Sequence, residues 1–146
     1  MPAPMPALVR IAALFAFVVA SAGLALAADN PLIGTWLHTD PGVPGRLPAS
    51  AVYMTFTPDG RYQVRTDFAG GAAGQASGSN VVRGGYQLTG PNSIAYWETE
   101  NYMCSGGACN PSPPLNPDFG QRKEGSFQML GPTQMQAVGA TWNRVQ

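Results

Sequence analysis

From Val52 onward the chain alternates apolar and polar side chains with a period of two, and Gly- and Pro-containing turns interrupt the alternation. Val52, Met54 and Phe56 alternate with Tyr53, Thr55 and Thr57. Pro58-Asp59-Gly60 then intervenes, and Tyr62, Val64 and Thr66 alternate with Arg61, Gln63 and Arg65. This pattern predicts a β-hairpin with one buried face. The same arrangement recurs twice. Tyr86 and Leu88 lead through Gly90-Pro91-Asn92 to Ile94, Tyr96 and Trp97, while Phe127 and Met129 lead through Gly131-Pro132 to Met135. Three successive hairpins predict an antiparallel meander. After residue 28 no apolar pattern of helical period runs for ten residues free of Gly and Pro, so the class is all-β.

Two stretches break the meander. Ala69 to Asn80 holds only Gly, Ala, Ser, Gln and Asn apart from its flanks, too little apolar surface to offset the entropy of ordering it, and reads as a mobile loop. Tyr102 to Asp118 carries Cys104-Ser105-Gly106-Gly107-Ala108-Cys109 and then four prolines between Asn110 and Pro117. The glycines let the two cysteines meet, and the prolines stiffen an extended path, so this reads as a long loop built for a function.

The N-terminus follows a different rule. Arg10 is followed by Ile11 to Ala27 without a charged residue, and the run ends in Ala25-Leu26-Ala27 before Ala28-Asp29. A positive residue, an apolar stretch and small residues at the cut describe a cleavable secretory signal peptide over residues 1–27. Seventeen residues as a helix span about 25 Å, short of the roughly 30 Å hydrocarbon core, so the stretch makes a poor permanent anchor. The domain is then 28–146, about 119 residues, enough for one core. The expected location is exported, periplasmic if the source is Gram-negative. In an oxidising compartment Cys104 and Cys109 are expected to form a disulfide. A ring so small contributes about 2 kcal/mol and orders a loop more than it holds a fold.

Loss of Arg10 leaves 7 basic residues against 8 acidic ones. Without a basic excess, nucleic acid and anionic membrane surfaces are excluded as expected partners. Two Cys and one His at scattered positions do not make a zinc site, and no cofactor is implied.

The ends of the domain carry a further signal. Leu32-Ile33-Gly34-Thr35-Trp36 begins the first strand, and Ala140-Thr141-Trp142-Asn143-Arg144-Val145 finishes the last. This resembles the lipocalin-like (calycin) β-barrels, with their Gly-x-Trp first strand and an Arg brought onto that Trp by the final strand. The resemblance implies a meander closing into an approximately eight-stranded barrel, with Gly34, Trp36 and Arg144 as structural residues. The chain lacks a Thr-Asp-Tyr type motif between its middle strands and so resembles a small bacterial relative more than a ligand-carrying lipocalin.

These residues leave three classes of function open. The first is a noncatalytic protein binding a small apolar ligand in the barrel mouth, lined by Tyr62, Tyr86, Tyr96 and Phe127; the same aromatics at alternating positions would also fill a core. The second is an interaction module for an envelope protein, using the loop 102–118. Periplasmic metalloprotease inhibitors share the barrel, but Ala28-Asp29-Asn30-Pro31 is a short trunk and the cysteines come late. The third, an enzyme, has little to stand on. His38 lacks a nucleophile in any recognised motif. Glu98 and Glu100 are expected on one strand face about 7 Å apart, where a glycosidase draws its carboxylates from different elements. Asp59 belongs to a turn.

Overall fold

The computed structural model describes residues 30–70, 77–114 and 116–145. The expected signal peptide lies outside the described residues. Nine antiparallel strands follow in chain order: β1 (Gly34–Asp40), β2 (Ser50–Phe56), β3 (Arg61–Phe68), β4 (Gly78–Gly90), β5 (Ser93–Ser105), β6 (Ala108–Pro111), β7 (Lys123–Gly131), β8 (Gln134–Ala137) and β9 (Ala140–Arg144). Each of β1 to β5 pairs with the next, β5 passes to β7, and β7, β8 and β9 return to β1, closing an eight-stranded barrel. Strand β6 is additional and hangs on the far end of β5. Closure leaves no long free edge, which removes the main aggregation liability of an all-β chain.

The turn chemistry explains why the strands end where they do. Between β2 and β3, Gly60 takes φ +80°, the Thr57 N–H donates to the Arg61 carbonyl at 2.9 Å, and the Thr57 hydroxyl bonds the Asp59 carboxylate. That hydroxyl is the first reason the Asp59 carboxyl is held below its ordinary value, with partial desolvation opposing it and the Arg61 guanidinium adding to it.

Register divides the interior into rows. Gly34, Phe56, Tyr62, Gly84 and Glu98 are cross-strand neighbours, followed by Trp36, Met54, Val64, Val82 and Asn101. Beyond them run His38, Val52, Thr66, Asn80 and Met103, and then Asp40, Ser50, Phe68, Gly78 and Ser105. The rows become smaller and more polar in one direction. That asymmetry makes one end a packed floor and the other a mouth.

At the floor, Trp36, Leu32 and Met135 are fully buried, surrounded by Phe56, Tyr62, Tyr86, Ile94, Phe127 and Trp142. Each such side chain contributes on the order of 1.5–3 kcal/mol through burial. Residues 30–33 strap this end. The Asn30 carboxamide accepts from the Leu32 N–H and donates to the Tyr86 hydroxyl, which itself donates to the Thr57 carbonyl. The Trp36 indole N–H donates to the Leu32 carbonyl at 2.8 Å. Arg144 lies 4.5 Å over the Trp36 ring, the contact that the Gly-x-Trp and Arg resemblance implies, and it also donates to the Pro31 carbonyl.

Two expected loops are partly strand. Gly78, Ser79 and Asn80 pair with both β3 and β5, so β4 begins inside the stretch read as a loop; residues 71–76 lie outside the described residues. Tyr102–Ser105 and Ala108–Pro111 form a hairpin around Gly106 and Gly107, whose φ values of 58° and 82° supply a turn that most residues resist. Cys104 and Cys109 face each other across it and are joined by a disulfide.

Candidate functional site

The four aromatics chosen from sequence do not share one open wall. Tyr62, Tyr86 and Phe127 are buried in the floor cluster, and Tyr96 packs half-buried against it. Phe56 meets Tyr86 edge-on at 4.9 Å, and Tyr62 meets Tyr96 edge-on at 5.9 Å. Burial is the main cause that raises the Tyr62 phenol above its ordinary value, with Glu98 and then Tyr96 adding to it. Burial likewise raises Tyr86, while the Asn30 hydrogen bond opposes the rise.

The space lies nearer the mouth. Phe68 and Met103 occupy inward register positions, yet 37% and 45% of their surface is exposed, because the rows beside them hold Asp40, Ser50, Gly78 and Ser105. An open groove of about 530 Å³ straddles the rim from Asp40 and Pro41 past Ser50 to Phe68 and Ala69, with the outward residues Thr39, Ala51 and Asp67 on its other side. A second, of about 350 Å³, lies on the other side of Phe68 against Gly78 and the Cys104–Cys109 hairpin. Below the rim, Asn80 donates to the Asn101 side chain at 2.9 Å and to the Tyr102 carbonyl at 3.0 Å. Sequence reasoning missed Phe68, Asn80, Asn101 and Met103. The signal was present in the alternation through Thr66 to Phe68, but the Gly/Ala/Ser run concealed its continuation on β4.

In the same row as Phe56 and Tyr62 sits an ion pair. Lys123 is the only lysine in the chain, and it is half-buried. Its Nζ lies 2.6 Å from both oxygens of Glu98 and 5.7 Å from the centre of the Tyr96 ring. The two side chains keep 17% and 12% of their surface.

Glu98 and Glu100 do not share a face, contrary to the sequence expectation. The register of β5 against β4 shifts between Arg83 and Gly84, so Thr99 is an extra residue with no partner. This bulge sends Glu98 inward to Lys123 and leaves Glu100 outside, where it meets Arg83 at 3.5 Å. Gly84 permits it, since a Cβ there would lie 1.9 Å from the Trp97 carbonyl oxygen.

His38 faces inward beside Trp142, 5.4 Å between ring centres, and its Nδ1 donates to the Thr141 carbonyl at 3.0 Å. It bridges β1 and β9 where their ladder, paired only at Trp36–Arg144 and Leu37–Asn143, has ended. Among the described residues no cluster of His, Cys, Asp and Glu is arranged to hold a metal ion.

The Pro-rich segment is laid against β5. Asn101 donates to the Ser112 and Pro113 carbonyls at 3.1 and 3.2 Å, and the Ser112 N–H donates back to the Asn101 carbonyl at 3.0 Å. It therefore adjoins the interval of β5 between its pairing with β7 and its pairing with β6.

No family model matches the chain, and neither the curated proteins nor the solved structures contain a match. The closed eight-stranded antiparallel meander is consistent with a lipocalin-like fold.

Proposed function

We propose that this protein is an exported, noncatalytic, lipocalin-like binding protein that takes a small apolar ligand at the barrel mouth. The observation that carries the reading is the pair Phe68 and Met103, inward in register but left uncovered above a strapped floor. Apolar surface left uncovered at the rim is what a small apolar ligand would cover, and an open groove of about 530 Å³ runs beside Phe68 there. The Asn80 side-chain oxygen and the second ring nitrogen of His38 supply polar groups to orient an occupant. The Cys104–Cys109 disulfide is compatible with export.

The test is saturable binding of the fluorescent apolar probe N-phenyl-1-naphthylamine. Val52→Trp fills an inward, half-buried position next to the mouth and is expected to block the probe, whereas Leu130→Gln, at the opposite end, is expected to leave it bound. Equal binding by both variants, or no saturation in the unaltered protein, counts against the mouth.

One observation favours a second reading. Strand β6 is exposed along its whole length and is presented on a stapled hairpin beside the Pro-rich segment. In this reading the region 102–118 docks an envelope protein, and co-purification of a polypeptide lost on Asn110→Pro would support it.

A further inference from the structure

The outer wall of the barrel carries a second feature that the mouth does not use. On the outside of β3, β4 and β5, Gln63, Arg83 and Glu100 lie in one cross-strand row, and Arg61, Gly85 and Trp97 in the next. A cavity of about 590 Å³ opens here, bordered by Arg61, Gln63, Arg83, Thr99 and Glu100. Its presence follows from the β5 bulge, which turns Glu100 outward and breaks the flatness of the wall.

Gly85 lets the adjacent Trp97 lie flat against the wall. A Cβ on Gly85 would sit 2.4 Å from Cζ2 of Trp97, so the indole lies across that glycine, and Arg122 approaches its ring at 5.9 Å. Gly84 accommodates the carbonyl of the same tryptophan. The indole N–H of Trp97 has no protein acceptor among the described residues. Beside this shelf the polar groups are held but not saturated. Arg83 Nε donates to Gln63 Oε1 at 2.9 Å and its Nη1 faces Glu100, leaving the Gln63 amide nitrogen, one Glu100 oxygen and Arg83 Nη2 without a partner among the described residues.

The charge balance selects the ligand. Arg83 is matched by Glu100, and Arg61 is matched by Asp59 at 3.0 Å, so the border of the cavity offers donors and acceptors side by side with no net charge, while the Arg122 guanidinium stands beyond that border against the Trp97 ring. A phosphate or sulfate would meet the Glu100 carboxylate, and an apolar ligand would strip water from two guanidinium groups. Neutral vicinal hydroxyls, each both donor and acceptor, suit an array of amide, guanidinium, carboxylate and hydroxyl groups, and the C–H face of a pyranose suits a flat indole. We infer that this outer-wall cavity binds a neutral saccharide, with Gln63, Arg83 and Glu100 taking its hydroxyls and Trp97 its apolar face. The site is independent of the mouth.

The experiment titrates the protein with cellotetraose, with the N-acetylglucosamine tetramer and with inorganic phosphate, reading tryptophan fluorescence and saturation-transfer NMR. At least one saccharide is expected to bind, with phosphate inert. Glu100→Gln and Arg83→Met are each expected to weaken that binding about tenfold or more, the effect of losing a charged hydrogen-bond partner. Both are surface changes, and their unfolding midpoints are measured alongside to show that the barrel is intact. Binding of N-phenyl-1-naphthylamine at the mouth is expected to be unchanged in both. Failure of both saccharides to bind at about 20 mM, well above a millimolar Kd, binding of phosphate alone, or saccharide binding unchanged in both variants overturns the assignment.

Discussion

Lys123→Met removes the positive half of the ion pair inside the barrel. Deleting one partner of a fully buried pair costs about 3–5 kcal/mol, because the remaining charge is left without compensation. An exposed pair is worth about 0–1 kcal/mol. With 17% and 12% of the side-chain surfaces exposed, Lys123 and Glu98 lie close to the buried limit. Partial access to water reduces the cost, so the single variant is expected to lose about 2–4 kcal/mol. The double variant Glu98→Met with Lys123→Met places two apolar chains of similar length in the same space and is expected to stay within about 1 kcal/mol of the unaltered protein. The assay is urea unfolding followed by circular dichroism, with the slope against urea checked for constancy. A single variant within about 0.5 kcal/mol of the unaltered protein, or additive effects in the cycle, would mean that water already screens the pair and that it is not buried in the energetic sense.

Three further outcomes follow from named contacts. Burial raises the phenols of Tyr62 and Tyr86 above their unfolded value of about 10, so the stability they support is complete below that pH and is lost as pH rises above it. Tyr62→Phe should therefore flatten the fall in unfolding free energy between about pH 10 and 11.5, and an unchanged slope would count against it. Val138 is 88% exposed with φ 54°, next to Gly139 at 71°, in a two-residue hairpin turn where Asn-Gly is the favoured pair. Val138→Asn should stabilise the barrel by about 1 kcal/mol, read as a higher thermal midpoint. Arg144→Met loses the contact with Trp36 and the bond to the Pro31 carbonyl but relieves a buried Nε that has no partner. The losses win by about 1–2 kcal/mol in urea unfolding, and Arg144→Lys should recover little of it, because an ammonium lacks the planar fork.

The hairpins were legible because their turns carry their own chemistry. Pro58-Asp59-Gly60 fixes where β2 ends and β3 begins, and period two then assigns Met54, Phe56, Tyr62 and Val64 to one face. The Trp36–Arg144 contact was legible only through a family resemblance, since 108 positions separate its partners and no local rule joins them. What escaped was whatever depends on one strand's register against another. Period two put Tyr62, Tyr86, Tyr96 and Phe127 inside without saying how deep, and depth decides between filling a core and lining a mouth. Extrapolating the same period through Thr99 put Glu98 and Glu100 together, whereas one unpaired residue separates them onto opposite sides of the wall. The consecutive glycines Gly84-Gly85 were the available hint of that bulge, because glycine inside a strand marks close backbone approach.

An apolar ligand is proposed to sit at the mouth, beside Phe68 and Met103. Native mass spectrometry of the protein purified from its own host's envelope tests it most directly. The expected result is a small-molecule adduct on the intact barrel that is lost on unfolding and absent from Val52→Trp prepared in the same way. A bare chain mass for the unaltered protein, or an adduct of equal occupancy in Val52→Trp, would contradict it.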